Sequence, residues 1–197
     1  RAKMVRACGF QLLLLVLLLV PGAERPASQQ PQGAMRLAGV LRDARALNGA
    51  HDVALQADIA FVAGKGGSLA LVDISNPAAP SLISALVDAV EFENAETVLP
   101  LGDVVLLGAN DIFAIDVRDL RRPMVLAKAS DRRRLTDTNG MARRGSNVFT
   151  ANKTGYVGVL DVRDPTSPAL IDLFGTRPGG PRAPHDVAMF GDRIIVA

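Results

Sequence analysis

Both histidines of this sequence open the same tetrapeptide, His51-Asp52-Val53-Ala54 and His185-Asp186-Val187-Ala188. An imidazole beside a carboxylate suits a borderline or hard divalent cation, because such metals take histidine nitrogen together with carboxylate oxygen. His51, Asp52, His185 and Asp186 are therefore the metal-ligand candidates, and a divalent metal is the cofactor they would suit. Two plainer readings stand beside this one. The same residues could take part in catalysis, or they could cap turns and hydrogen-bond to neighbouring strands. Capping needs no partner elsewhere in the chain, whereas a metal site needs positions 51 and 185 to meet.

A repeat would bring them together, and the sequence contains one. Leu71-Val72-Asp73-Ile74-Ser75-Asn76-Pro77-Ala78-Ala79-Pro80 returns as Ala114-Ile115-Asp116-Val117-Arg118-Asp119-Leu120-Arg121-Arg122-Pro123. It returns again as Val159-Leu160-Asp161-Val162-Arg163-Asp164-Pro165-Thr166-Ser167-Pro168. The period is about 44 residues, in the range of propellers and solenoids. Each copy is an apolar β-branched run stopped by Asp, an Asn- or Asp-centred turn, and a Pro that opens a second apolar run. Those second runs are Ser81 to Val87, Met124 to Ala129 and Ala169 to Phe174. Pro at the head of a strand is tolerated on an edge. Leu120 replaces the first Pro in the middle copy.

Two further strand-like runs precede each corner: Asp52–Leu55 and Ile59–Ala63, Glu96–Leu99 and Val104–Leu107, Gly140–Ala142 and Val148–Thr150. Four short strands per period make a sheet that cannot bury both faces alone. Radial stacking on its own copies solves this. The hairpin loops Gly64-Lys65-Gly66-Gly67, Gly108-Ala109-Asn110-Asp111 and Asn152-Lys153-Thr154-Gly155 supply the positive φ that tight turns need. Gly66-Gly67-Ser68-Leu69-Ala70 brushes a nucleophile-elbow pattern but reads as a hairpin, because no helix follows.

The Leu-Val-x-Asp-x-Ser-x-Pro-x-x-Pro line resembles the LVIVD-repeat β-propeller proteins, over roughly residues 35–197. The resemblance implies an all-β fold, a β-propeller of four-stranded antiparallel blades, often in exported bacterial proteins. It implies no defined reaction. Blades fall near 51–87, 94–129 and 139–174, and a shorter one at 185–197. That is about three and a third blades, an incomplete ring against the roughly 4–8 of propellers, so the chain reads as part of a longer protein. Met35 to Leu41 precedes His51 as Pro123 and its run precede Asn139, so 35–41 is expected as a closing, fourth-type strand; helical spacing of Leu37, Val40, Leu41, Ala44 and Leu47 is the competing reading. In a propeller, His51 and His185 begin innermost strands at the channel mouth, with Asn94 or Glu96, and Asn139, in the matching places.

The start of the chain has a separate character. From Met4, Arg6 gives a positive region, Phe10 to Val20 an apolar one, and Pro21-Gly22-Ala23 small residues for cleavage. The apolar run is about 11 residues, short of the roughly 20 that span a bilayer, so 1–23 reads as a signal peptide and no stable membrane span is expected after its removal; an uncleaved N-terminal anchor is the competing reading. Residues 24–34 are polar and Pro-rich, a disordered linker. Cys8 is the one cysteine, so the mature part would have no disulfide, thiolate metal site or cysteine nucleophile.

The net charge of +2 is too small to argue for nucleic acid. Arg121-Arg122 and Arg143-Arg144 fall at one end of the blades and Arg132-Arg133-Arg134 at the other, so they form no single basic face. Tyr156 is the only tyrosine and Trp is absent, which leaves little for base stacking. Walker, His-Glu-x-x-His, Cys-x-x-Cys and dinucleotide motifs are missing. The expected function is an exported, non-catalytic scaffold, secreted, periplasmic or at the cell surface, binding a protein or surface ligand. The alternative is a propeller hydrolase or oxidoreductase with a metal or polar ligand at the channel mouth.

Overall fold

The computed structural model describes residues 14–16, 35–175 and 183–197. The described part is all strand and turn. A short pair, β1 (Leu14–Val16) and β2 (Gly39–Leu41), comes first. Blade 1 follows as β3 (Ala50–Gln56), β4 (Ile59–Gly64), β5 (Ser68–Asp73) and β6 (Ser81–Val87). Blade 2 is β7 (Thr97–Pro100), β8 (Val104–Gly108), β9 (Ile112–Asp116) and β10 (Met124–Ala129). Blade 3 is β11 (Thr138–Arg144), β12 (Asn147–Asn152), β13 (Tyr156–Asp161) and β14 (Ala169–Gly175), and β15 (Val187–Phe190) with β16 (Arg193–Val196) begins a fourth. Every blade is an antiparallel meander in chain order.

The middle strands read as unbroken apolar runs because both their faces are buried. On β4 and β5, Phe61, Ala63, Leu69 and Leu71 pack toward blade 2, against Val105, Leu107, Phe113 and Ile115. Their neighbours Ala60, Val62, Ala70 and Val72 point the other way, where Leu41, Ala46 and Leu47 cover them. Blade 2 repeats the device toward blade 3, with Val104, Leu106, Ile112 and Ala114 against Leu135, Val148, Leu160 and Val162. Period-2 alternation thus gives blades 1 and 2 two buried faces each, and each face packs on a different neighbour.

The repeated corner consists of two successive side-chain turns. Asp73, Asp116 and Asp161 each accept a bond from the backbone N–H two residues on, at 2.8, 2.9 and 2.9 Å. Three residues later Asn76, Asp119 and Asp164 do the same to Ala78, Arg121 and Thr166. The backbone is tied as well: Ile74, Val117 and Val162 donate to Asp58, Asp103 and Ser146 of the turn between first and second strands. A β-bulge then interrupts each fourth strand at one place, at Ile83, Leu126 and Ile171.

A second repeated element, not read from the sequence, lies in the connections ahead of the blades. Asp43, Asp88 and Asp131 accept bonds from Arg45 and Ala46, Val90 and Glu91, and Arg133. Leu47, Phe92 and Leu135 then donate back to the same three aspartates' carbonyls and bury their side chains in the cores. Asp-x-x-x-Leu/Phe is therefore a second corner of the period.

Strand β2 stands ahead of Asp43 where a fourth strand stands ahead of Asp88 and Asp131. It pairs with β1, Leu14 opposite Leu41 and Val16 opposite Gly39. Of the expected strand over 35–41, residues 39–41 form one, and no helix forms there. Gly39 lies against the Pro77 carbonyl and Pro80, too close to admit a Cβ. Apart from the backbone of 14–16, the expected signal peptide (1–23) and linker (24–34) lie outside the described residues. No helix among the described residues is long and apolar enough to cross a membrane.

Candidate functional site at the channel mouth

The turns between first and second strands set the register of the site. Gln56 pairs with Ile59, Arg144 with Asn147 and Phe190 with Arg193 around two-residue turns, and the Leu101 N–H donates to Val104 around the matching turn of blade 2. Counting back from these turns puts His51, Glu96, Asn139 and His185 at one level. Asp52, Thr97, Gly140 and Asp186 form the next, and Val53, Val98, Met141 and Val187 the third. The first strands pack side by side, β3 on β7, β7 on β11 and β11 on β15. Residues from all three levels line a cavity of about 420 Å³. His51, Asp52, His185 and Asp186, far apart in sequence, all border it.

β-Bulges fall at His51, between Ala50 and Asp52, and at Asn139, between Thr138 and Gly140. A bulge re-aims the extra side chain at a rim. His51 Nδ1 lies 2.8 Å from the Glu96 carbonyl oxygen. A carbonyl only accepts, so Nδ1 carries the proton there and Nε2 is the acceptor of the neutral ring. Asn139 Nδ2 donates to His185 Nδ1 at 2.8 Å, and the Asn139 Oδ1 is buried with no partner. Asp52 is fully engaged: Oδ1 accepts from Val53 N–H at 2.8 Å, and Oδ2 from Thr97 hydroxyl at 3.1 Å and Val98 N–H at 2.9 Å. It joins blade 1 to blade 2. Asp186 Oδ1 accepts from Val187 N–H at 2.8 Å and sits against Gly140, where a Cβ would stand 2.7 Å from that oxygen.

Glu96 is the residue the sequence reading undervalued. Its side chain is 2% exposed, and Lys65 Nζ reaches Oε1 at 2.7 Å. Lys153 Nζ donates to both carboxylate oxygens, at 2.8 and 2.7 Å, and stands 3.4 Å from Asp137. One carboxylate of blade 2 thus holds an ammonium from the second hairpin of blade 1 and another from that of blade 3. Burial pushes the Glu96 carboxyl up, but the hydrogen bonds and charges of Lys153 and Lys65 outweigh it and leave it below the ordinary 4.5. Burial lowers Lys153 in turn, and Glu96 and Asp137 lift it above 10.5. The signal was present: Lys65 and Lys153 occupy the same hairpin position, next to Gly64 and Asn152. Asn94, the other candidate at this level, is in the preceding turn with φ of 57° and hydrogen-bonds Asn110.

Among the described residues, no three His, Cys, Asp or Glu side chains are placed to hold a metal ion. Ser68 of the Gly-rich hairpin is buried and donates to the Ala46 carbonyl at 2.9 Å, a structural role.

A family model, the LVIVD repeat, matches residues 49–87, which is blade 1 from its first strand to its last. Residues 49–87 carry the LVIVD repeat. No curated protein gives a significant match to this sequence. Among solved structures, this chain is similar to the computationally designed protein Ika4, with a TM-score of 0.52 and 11% identity over 76% of this chain and 84% of that one. It is similar to BamB from Moraxella catarrhalis, with a TM-score of 0.53 and 16% identity over 74% of this chain and 39% of that one. The designed protein Ika8 matches with a TM-score of 0.51 and 12% identity, over 75% of this chain and 42% of that one. These likenesses establish a β-propeller fold and nothing of activity. The chain spans well under half of BamB and of Ika8.

Proposed function

We propose that this LVIVD-repeat chain is an exported, non-catalytic β-propeller that recognises its ligand at the channel mouth. The observation that carries this reading is the state of the ionisable groups there. Asp52 spends Oδ1 on the Val53 N–H of its own blade and Oδ2 on the Thr97 hydroxyl and Val98 N–H of blade 2. Glu96 is neutralised by two lysines, and its carboxyl is held below the ordinary range. A general acid or base needs a carboxyl raised toward neutrality, which burial without a counter-charge provides. At Glu96 the counter-charges are built in, so this carboxylate, like the hydrogen-bonded Asp52, holds blades together and leaves the remaining polar atoms to bind. The N-terminal sequence supports export to the periplasm, the cell surface or the medium.

A second reading rests on both histidines bordering one cavity. In that reading His51 and His185, with Asp52 and Asp186, take a divalent metal that polarises a substrate. Elemental mass spectrometry of the full-length protein decides between them, with a His51→Ala, His185→Ala double variant alongside. The binding reading expects no stoichiometric metal in either protein. One equivalent of metal, lost in a folded double variant, would overturn it.

A further inference from the structure

Resting on the binding reading above, the mouth has a chemical polarity of its own. Its uncommitted polar atoms are mostly acceptors. With Nδ1–H donated to the Glu96 carbonyl, the His51 ring offers Nε2. Asn139 has given its Nδ2 to His185 and holds a buried, unpartnered Oδ1. Asp186 uses Oδ1 on its neighbour's N–H, and among the described residues nothing pairs with its Oδ2. Among the described residues, no lysine or arginine lines the cavity. Lys65 and Lys153, which reach the lining residue Glu96, are held by its carboxylate. Thr97, the one hydroxyl at this level, is directed to Asp52.

We infer that the mouth selects a ligand bearing an ammonium or guanidinium group, such as a lysine or arginine side chain or a free alkylamine. An ammonium has three donors and no acceptor, and a guanidinium has five. Either carries donors enough for the histidine nitrogen, the orphaned amide oxygen and the free carboxylate oxygen. A buried acceptor left without a donor is costly, so the Asn139 oxygen gains most from such a ligand. Beneath these groups Val53, Val98 and Met141 provide an apolar level for an alkyl stem. The volume also discriminates. About 420 Å³ is at the small-molecule end of binding sites, and far larger than the shell that closes on a bare ion.

The two histidines are the only ones in the chain, so their ring proton resonances report the mouth directly. The experiment titrates the full-length protein with pentylammonium, glucose, glutarate and zinc separately, and follows those resonances by NMR. A short lysine-bearing peptide is titrated in parallel with its lysine-acetylated form. The expected result is a saturable shift of both histidines by pentylammonium, weakened about tenfold or more in Asp186→Asn, the change expected on losing a charged hydrogen bond. Tighter binding by the lysine peptide than by its acetylated form assigns the source to a protein side chain; equal or weaker binding assigns it to a free amine. A shift by glucose or glutarate in place of pentylammonium overturns the cation preference and leaves the binding reading standing. Zinc as the sole binder overturns both in favour of a metal. No shift by any compound in a folded protein overturns both as well.

Discussion

Replacing Lys65 and Lys153 together by methionine keeps most of each stem and removes both ammoniums from Glu96. The carboxylate is 2% exposed, so it cannot swing into water. Removing the partners of a buried charge costs about 3–5 kcal/mol. The lysines are 43% and 23% exposed, so part of their attraction is already screened, which puts the expected loss near the low end, about 3 kcal/mol. For a chain of this size that is roughly 6–12 °C in Tm. The converse change, Glu96→Leu, should cost less, about 1–2 kcal/mol, because both ammoniums can turn to solvent. The pH dependence is the sharper test. In the native protein Glu96 sits below 4.5, so its contribution is fully present above that value and fades as pH falls through the lower folded-state value. In the double variant only burial acts, and the carboxyl rises above its unfolded value, so the variant is penalised where Glu96 is ionised. The stability gap by urea unfolding should therefore be full at pH 7 and narrow as pH falls toward 4. A gap below about 1 kcal/mol at pH 7, or one unchanged at pH 4, would refute the staple.

Phe113→Ala removes a ring that packs edge-on to Phe92 at 5.0 Å between blades 1 and 2, and chemical denaturation should show a loss of about 3–5 kcal/mol. Gly140→Ala drives a methyl into Asp186 and the Val187 backbone, so it should cost about 1–3 kcal/mol and move the His185 resonance more than that of His51. Asp116→Ala should lower Tm more than Asp116→Asn, which keeps the acceptor for the Arg118 N–H. Hydrogen bonds from Ser75, Arg118 and Arg163 hold Asp73, Asp116 and Asp161 below 3.8, so the corners' contribution is complete above that pH and lost below it, visible in an acid Tm series. Deleting residues 1–23 removes β1, which pairs with the three-residue strand β2; thermal unfolding should shift by no more than a few degrees.

The fold was legible because the corner is local. An aspartate that bonds two residues ahead leaves its mark in three consecutive letters, and three copies reveal the period. The fourth strands starting at Ser81, Met124 and Ala169 follow directly from the Pro before each. Asp43, Asp88 and Asp131 left a fainter mark, since only the aspartate and an apolar residue four places on recur, and the residues between are unlike. The site was legible in half. Identical His-Asp-Val-Ala segments three periods apart fall at the same position of their blades, and both border one cavity. What each side chain does there was not, because it depends on neighbours from other blades. Asp52 and Asp186 look identical in sequence. One is consumed by the Val98 and Thr97 donors of the adjoining blade, and the other meets a glycine. Glu96 looked like one more polar residue at a strand start until two hairpins delivered their lysines to it.

The central claim is that equivalent residues of successive blades form one recognition site at the channel mouth. Amide hydrogen exchange of the full-length protein, with and without saturating pentylammonium, tests it most directly. The account predicts slowed exchange at the starts of β3, β7, β11 and β15 together, with the outer strands β6, β10 and β14 unchanged. Protection confined to one blade, or to the outer strands, would contradict it.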